Sequence, residues 1–264
     1  MNRLRTSLLL ALLFALCWDI VYGQDANWPA WREGGLIFGG SVDAFDAMTI
    51  LPDTLEKRIA YGDHRGFLRV LKEGKEGFRE EWRSRDLESA IRGVFVEDVN
   101  LDGRPEMIVY TERGMIYFFD ASTYRIIWQN TDTDFESITC MTVENVDDDP
   151  QKEMIFCANS YLFIYDARNQ FEEWQSDQNF PGPEIRQIVI GDVDGDDEAE
   201  IVLNTGYVLD AQFHDMEWQA SESFGERIGL LDLDDDGILE VIGEFSGHVL
   251  KIFDVDLRRE KALR

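Results

Sequence analysis

A nine-residue acidic motif occurs four times in the 264-residue sequence, and this repetition restricts the fold more than any other feature. Every copy carries Asp or Asn at positions one, three and five, and Glu at position nine. The copies read DVNLDGRPE from Asp98, NVDDDPQKE from Asn145, DVDGDDEAE from Asp192 and DLDDDGILE from Asp232. Successive copies begin 47 (98 to 145), 47 (145 to 192) and 40 (192 to 232) residues apart. Such a period is typical of architectures that repeat one small supersecondary unit.

Runs rich in β-branched and aromatic residues flank each motif in a constant order. One run precedes the motif and a second follows it directly. A third run ends at an aspartate in every copy: Asp120, Asp166, Asp210 and Asp254. A fourth run carries a tryptophan eight residues after that aspartate in three copies: Trp128, Trp174 and Trp218. Each unit is therefore predicted to contain four short strands, with the tryptophans packed between units and the aspartates forming turns.

A degenerate copy lies upstream. Its segment from Lys57 to Leu71 matches the second and third runs and Trp82 belongs to its fourth run, but the preceding stretch from Thr49 to Lys57 keeps only Asp53 of the acidic pattern. Five units are thus visible, and four of them have an acidic loop. Because one small sheet cannot bury both of its faces alone, such units must stack on one another. The sequence predicts an all-β fold, a β-propeller of about five four-stranded blades or a fragment of a larger propeller. A solenoid of the same units is the structural alternative.

The four acidic loops resemble the FG-GAP/VCBS repeat of integrin-α-type propellers, whose Asp-x-Asp-x-Asp-Gly-x-x-Asp/Glu loop joins the first two strands of a blade. The resemblance covers Thr49 to Asp254 and implies calcium held by side chains at positions one, three, five and nine and by the backbone carbonyl at position seven. The implied ligands, from the first to the fourth loop, are Asp98, Asn100, Asp102, Arg104 and Glu106; Asn145, Asp147, Asp149, Gln151 and Glu153; Asp192, Asp194, Asp196, Glu198 and Glu200; and Asp232, Asp234, Asp236, Ile238 and Glu240. The segments FFDASTYRIIW and IYDARNQFEEW are also faintly similar to the Trp-docking repeat of quinoprotein propellers, without its usual Thr-Gly pair.

The chemistry of the loops independently favours a hard cation. Two carboxylates about 5 Å apart repel each other by about 3 kcal/mol at an effective dielectric of about 20, and a bound cation removes this cost. Calcium accepts about six to eight oxygen ligands, whereas the loops contain no His or Cys of the kind that zinc or copper prefers. Magnesium requires a stricter octahedral geometry. The alternative without a metal is a set of solvated acidic turns.

Position six separates the four loops, because a calcium loop commonly turns there with a positive φ. Gly103 and Gly237 adopt this conformation freely, Asp197 adopts it at some cost, and the ring of Pro150 prevents it. The second loop also begins with a neutral amide. We therefore expect the fourth loop to form the best calcium site, the first and third loops to be occupied, and the second loop to be weakest or empty.

Residues 1–23 are predicted to be a signal peptide and residues 24–264 the propeller domain. An apolar stretch from Leu8 to Trp18 is too short to span a bilayer, and Val21 and Gly23 fit the small-residue rule for cleavage. A lipoprotein signal at Cys17 fits less well, because Leu16 is bulky where a small residue is required. No later run approaches 18 apolar residues. The sequence predicts a secreted protein, extracellular or periplasmic, without membrane insertion.

Charge and composition restrict the partners. The formal net charge of −28 argues against nucleic acid, which is bound by patches of Lys and Arg. Hydrophobic residues make up 44% of the chain, which favours a folded core over disorder. The three histidines lie in different units and have no recurring Ser, Cys or carboxylate partner. We predict a calcium-binding module or scaffold for a protein or glycan; the alternative is a polysaccharide hydrolase or lyase with an acidic pocket near the axis.

Cys140 and Cys157 flank the second motif at similar distances and are predicted to lie nearly opposite each other on adjacent strands. Such a pair can form a cross-strand disulfide or remain as two buried thiols. We expect reduced thiols.

The last unit lacks its tryptophan and has Ala262 at that position. Trp31, near the start of the chain, has the spacing of a fourth strand relative to the first unit. We expect the segment around Trp31 to complete the last blade and to close a ring of five blades. The alternative is a truncated piece of a larger ring, since the family usually has seven blades.

Overall fold

The computed structural model describes residues 47–52, 57–131, 133–147, 149–177, 180, 184–246 and 248–261. The predicted signal peptide and Trp31 lie outside the described residues. Within these residues, 20 strands form five four-stranded antiparallel sheets, and the strands of each sheet follow one another in chain order. The predicted all-β propeller of five four-stranded blades is therefore confirmed. Among the described residues, no helix has the length and apolar character of a membrane span.

The five sheets, called blades one to five, have the following bounds. Blade one consists of β1 (Met48–Leu51), β2 (Arg58–Gly62), β3 (Leu68–Gly74) and β4 (Gly77–Arg83). Blade two consists of β5 (Ile91–Glu97), β6 (Glu106–Thr111), β7 (Ile116–Asp120) and β8 (Ile126–Gln129). Blade three consists of β9 (Ile138–Glu144), β10 (Glu153–Ala158), β11 (Tyr161–Asp166) and β12 (Phe171–Gln175). Blade four consists of β13 (Ile188–Gly191), β14 (Glu200–Leu203), β15 (Tyr207–Asp210) and β16 (Met216–Gln219). Blade five consists of β17 (Arg227–Leu231), β18 (Glu240–Phe245), β19 (Val249–Asp254) and β20 (Arg259–Lys261).

The hydrophobic core lies between neighbouring blades. Every residue of β6, β10 and β14 is buried, because both faces of these second strands are covered by adjacent sheets. Four separate clusters of buried side chains join blade one to two, two to three, three to four, and four to five. This arrangement explains the continuous apolar runs in the sequence, since a strand covered on both faces needs no polar alternation.

A tryptophan on the fourth strand packs against the next blade, as predicted. The ring of Trp82 stacks on Tyr124 of blade two at 5.0 Å, and the ring of Trp174 stacks on His214 of blade four at 4.7 Å. Burial beside Trp174 lowers the pKa of His214. The third and fourth strands change register next to each tryptophan in blades one to four. The residue before the tryptophan is therefore a bulge residue: Glu81, Ile127, Glu173 or Glu217.

The aspartates that end the third strands form turns, as predicted. Asp120 Oδ1 accepts hydrogen bonds from the backbone N–H groups of Ser122 (2.9 Å) and Thr123 (2.7 Å). The hydrogen bond from the Ser122 hydroxyl and the bond from Thr123 N–H lower the pKa of Asp120 to about 2. The same type of bond is made by the aspartates that end β11, β15 and β19.

Cys140 and Cys157 are directly opposite each other in the β9–β10 pair, and both are buried free thiols. This agrees with the expected reduced state. Burial raises the pKa of both thiols, that of Cys157 to about 11.

The last blade differs from the prediction. Its fourth position is occupied by β20, which pairs with β19 through residues 252–254 and 259–261. The prediction that the segment around Trp31 supplies this strand is therefore wrong. It failed because β20 lacks a tryptophan and is only three residues long. The first strands pack in chain order, β1 on β5, β5 on β9, β9 on β13 and β13 on β17, and no comparable packing joins β17 to β1 among the described residues.

Candidate metal centres

The four acidic loops occupy equivalent places, each joining the first and second strands of blades two to five. The glutamate at position nine is the first residue of the second strand in every copy, and it is buried: Glu106, Glu153, Glu200 and Glu240. The other motif residues lie in the loop itself. The fold therefore turns one buried carboxylate per blade toward a mainly exposed acidic turn.

One oxygen of each buried glutamate holds its own loop. Its Oε2 accepts a hydrogen bond from the backbone N–H at motif position two in all four blades. The distances are 3.2 Å from Val99 to Glu106, 2.8 Å from Val146 to Glu153, 2.7 Å from Val193 to Glu200 and 2.8 Å from Leu233 to Glu240. The second oxygen, Oε1, accepts a hydrogen bond from Asn100 in blade two and from Lys261 in blade five, and it has no partner in blade four.

The backbone of the loops turns as predicted at position six. Gly103, Asp197 and Gly237 have φ values of 84°, 69° and 94°, whereas Pro150 does not adopt a positive φ. The position-one carboxylate accepts the N–H groups of this turn; Asp98 Oδ2, for example, lies 2.8 Å from Gly103 N. Position four also has a positive φ in blades two, four and five, at Leu101, Gly195 and Asp235. The sequence did not indicate this conformation at Leu101 or Asp235, because neither residue is a glycine.

Three of the four blades gather carboxylates into a group whose potential ligand oxygens lie within 4.8 Å of one another. The groups are Asp147, Glu153 and Glu173 in blade three; Asp192, Asp194 and Glu200 in blade four; and Asp232, Asp234 and Glu240 in blade five. Blade two forms no such group among the described residues. There, Asn100 Nδ2 donates a 2.8 Å hydrogen bond to Glu106 Oε1, so the amide occupies the free oxygen.

The remaining predicted ligands play other parts in this structure. Position-five side chains accept the N–H of position seven: Asp102 from Arg104, Asp149 from Gln151, Asp196 from Glu198 and Asp236 from Ile238. Asn145 Nδ2 donates to the Asp149 carbonyl at 2.6 Å. The carboxylate of Glu173 was missed, because it belongs to the fourth strand and lies outside the nine-residue motif.

The blade-four group has oxygens without partners. The Glu200 side chain is 0% exposed, and its Oε1 has no hydrogen-bond partner. Asp194 Oδ1 is also buried without a partner. Burial raises the pKa of Glu200 to about 8, with further contributions from Asp194, Glu217 and Asp196. A buried carboxylate oxygen without a partner is costly, and a cation is the group that would satisfy it.

The donor set fits calcium. All side-chain donors in the three groups are carboxylate oxygens, and no cysteine or histidine belongs to any of them. Calcium accepts oxygen ligands in variable number and in flexible geometry, which suits groups that differ from blade to blade.

A cavity of about 960 Å³ lies against the first strands β5, β9, β13 and β17. Its lining includes three acidic and two basic side chains: Glu184, Glu226, Glu244, Arg186 and Arg227. Arg186 Nε lies 3.2 Å from Glu184 Oε2. The lining therefore carries charges of both signs, with one acidic side chain in excess.

Comparison with solved structures places the fold among β-propellers. BBS1N, crystallised in complex with ARL6DN, is similar over 82% of this chain and 67% of its own, with 14% identity and a TM-score of 0.59. Sqt1 from Saccharomyces cerevisiae is similar over 78% of this chain and 57% of its own, with 12% identity and a TM-score of 0.56. The chain thus spans 57% to 67% of the length of these neighbours. No family model and no curated protein matches the sequence.

Proposed function

We propose that this chain is a calcium-stabilised β-propeller of the FG-GAP/VCBS type that serves as an exported scaffold for a protein partner. The blade-four group is the main support for calcium binding, because fully buried Glu200 has an unpartnered oxygen within a group of three carboxylates. The repeat pattern adds a family rationale for calcium at this loop. Export would expose the protein to the millimolar calcium at which extracellular modules commonly bind.

The proposal of a protein partner rests on the fold and on its structural neighbours. BBS1N, which shares the fold, was crystallised bound to ARL6DN. A propeller presents loops at both ends of its axis, and those surfaces vary without disturbing the blade cores. We therefore propose a protein ligand in preference to a glycan.

Calcium titration of the full chain, after removal of metal with a chelator, tests the first part. We expect saturable heat of binding and a rise in melting temperature, because a ligand that binds only the folded state stabilises it by about 2.7 kcal/mol at 100 times its Kd. Asp194→Asn should lose part of this stabilisation. Glu198→Gln is the matched control, since it keeps the backbone carbonyl of position seven and changes only an exposed side chain that lies outside the carboxylate group of the same loop. Absence of any calcium response, or the same response to magnesium, would overturn the proposal.

Partner binding is tested in two ways, each with and without chelator. The mature chain is immobilised and exposed to a mixture of exported proteins, and in a separate experiment it is applied to a glycan array. We expect retention of a protein that depends on calcium and is lost with Asp194→Asn. Saturable binding to a glycan in place of a protein would favour the glycan alternative.

A further inference from the structure

A fourth-strand residue outside the acidic motif approaches the acidic loop in blades three, four and five. It lies seven positions after the aspartate that ends the third strand: Glu173, Glu217 and Lys261, with Ile127 at the same place in blade two. In blades two to four it is the bulge residue before the tryptophan. A bulge re-aims a side chain relative to a regular strand, which explains how Glu173 and Glu217 can approach their loops. In blade five the described part of the strand has no bulge, and Lys261 pairs directly with Ile252.

The residue is a glutamate in blades three and four. Glu173 offers a carboxylate oxygen within 4.8 Å of oxygens from Asp147 and Glu153. Glu217 Oε2 is buried and has no hydrogen-bond partner, and the same holds for Glu200 Oε1 and Asp194 Oδ1 in this blade. Burial raises the pKa of Glu217 to about 7, and the charge of Asp194 contributes next. These two blades therefore add a carboxylate to a loop that already has an excess of negative charge.

The residue is a lysine in blade five. Lys261 Nζ lies 2.6 Å from Asp234 Oδ2 and 2.6 Å from Glu240 Oε1, so one ammonium contacts two of the three grouped carboxylates. The hydrogen bond from Lys261 lowers the pKa of Asp234, whereas burial raises the pKa of its counterpart Asp194 in blade four. The ammonium of Lys261 thus contacts Glu240 Oε1 in blade five, whereas the equivalent atom in blade four, Glu200 Oε1, has no partner.

We propose that this fourth-strand residue decides how each blade neutralises its acidic loop. Glu217 and Glu173 are further ligands of a divalent cation in blades four and three, and the ammonium of Lys261 replaces that cation in blade five. The inference rests on the proposed calcium binding. It also reverses the order expected from the motif alone, in which the blade-five loop was best and the blade-three loop weakest.

The physical reason is charge balance within a fixed space. Affinity of an oxygen site for calcium rises with the number of charged ligands, so an added glutamate strengthens the sites of blades three and four. In blade five a cation entering the group must displace an ammonium held by two short charge-assisted bonds. The ammonium is part of the chain, so its binding does not depend on concentration, whereas occupancy by calcium depends on the concentration of free calcium.

The first test compares Glu217→Gln with Asp215→Asn by isothermal titration of the full, chelator-treated chain with calcium. Both changes remove one negative charge from the same region, but Asp215 is exposed in the turn before β16 and belongs to no carboxylate group. We expect Glu217→Gln to weaken one calcium site about tenfold or more, and Asp215→Asn to leave it unchanged. Equal affinities in the two variants would overturn the role of Glu217.

Glu217→Lys provides a second variant, which transfers the blade-five arrangement to blade four. We expect it to bind one calcium fewer per chain than the wild type and to melt in chelator no lower than Glu217→Gln. Retention of the full calcium stoichiometry would contradict the proposal.

The reciprocal test is Lys261→Gln against Arg259→Gln, a matched change of charge on the same strand. We expect Lys261→Gln to bind one calcium more per chain by equilibrium dialysis, and Arg259→Gln to match the wild type. If Lys261→Gln does not fold, Lys261→Glu supplies the residue found in blades three and four and should also gain a site. A wild type that binds no calcium would refute the proposed function itself, whereas a wild type that binds with stoichiometry insensitive to residues 217 and 261 would refute only this inference.

Discussion

Among the described glycines, Gly243 leaves the least room for a Cβ atom. A Cβ atom at this position would lie 1.6 Å from the backbone oxygen of Phe224, in the connection that leads from blade four to blade five. Backbone atoms cannot yield as a flexible side chain does. We expect Gly243→Ala to lower the free energy of unfolding by about 3 kcal/mol or more, measured by denaturant unfolding.

Gly229→Ala is the matched control, because Gly229 lies on the paired strand β17 and a Cβ there would meet no atom within 4 Å. It should change stability by less than about 1 kcal/mol, since alanine mainly reduces the freedom of the unfolded chain. Similar losses in both variants would show that the close approach at Phe224 does not limit residue 243.

At the scale of the element, the fourth strand connects one blade to the next through its tryptophan. Trp82 stacks on Tyr124 at 5.0 Å and meets the edge of Phe119 at 5.9 Å, both in blade two. We expect Trp82→Ala to lower the free energy of unfolding by about 2 to 4 kcal/mol, because it removes both contacts and leaves a cavity between blades. Phe213→Ala, in an aromatic residue that is 67% exposed, should cost less than about 0.5 kcal/mol. Equal thermal melts of the two variants would contradict the packing role of Trp82.

The repeated elements were predictable because the same sequence pattern recurs in successive blades. Strand order, the turn aspartates and the tryptophan packing all follow from spacings that recur within the chain. The fourth-strand partners of the acidic loops were not predictable, because Glu217 reaches its loop through a bulge whose register depends on β15. β20 was missed for a related reason, since Arg259–Lys261 is short and charged and is held by pairing with β19.

At the scale of the molecule, the two end blades differ from the three inner ones. Blades two, three and four are covered on both faces, whereas the described residues cover blades one and five on one face only. Ile50 of blade one is 70% exposed, and Val249 and Leu250 of blade five are 52% and 54% exposed. Among the described residues, the outer faces of blades one and five therefore keep exposed apolar side chains.

Leu162 and Leu250 measure this difference directly, because each lies four residues before the aspartate that ends its third strand. Leu162 of blade three is 0% exposed and packs between blades three and four, whereas Leu250 is 54% exposed. We expect Leu162→Ala to lower the free energy of unfolding by about 2 to 5 kcal/mol and Leu250→Ala by less than about 1 kcal/mol. Denaturant unfolding of the full chain at several protein concentrations makes the comparison. A loss at Leu250 as large as that at Leu162 would mean that another surface covers blade five in solution, and dependence of that loss on protein concentration would identify this surface as a second copy of the chain.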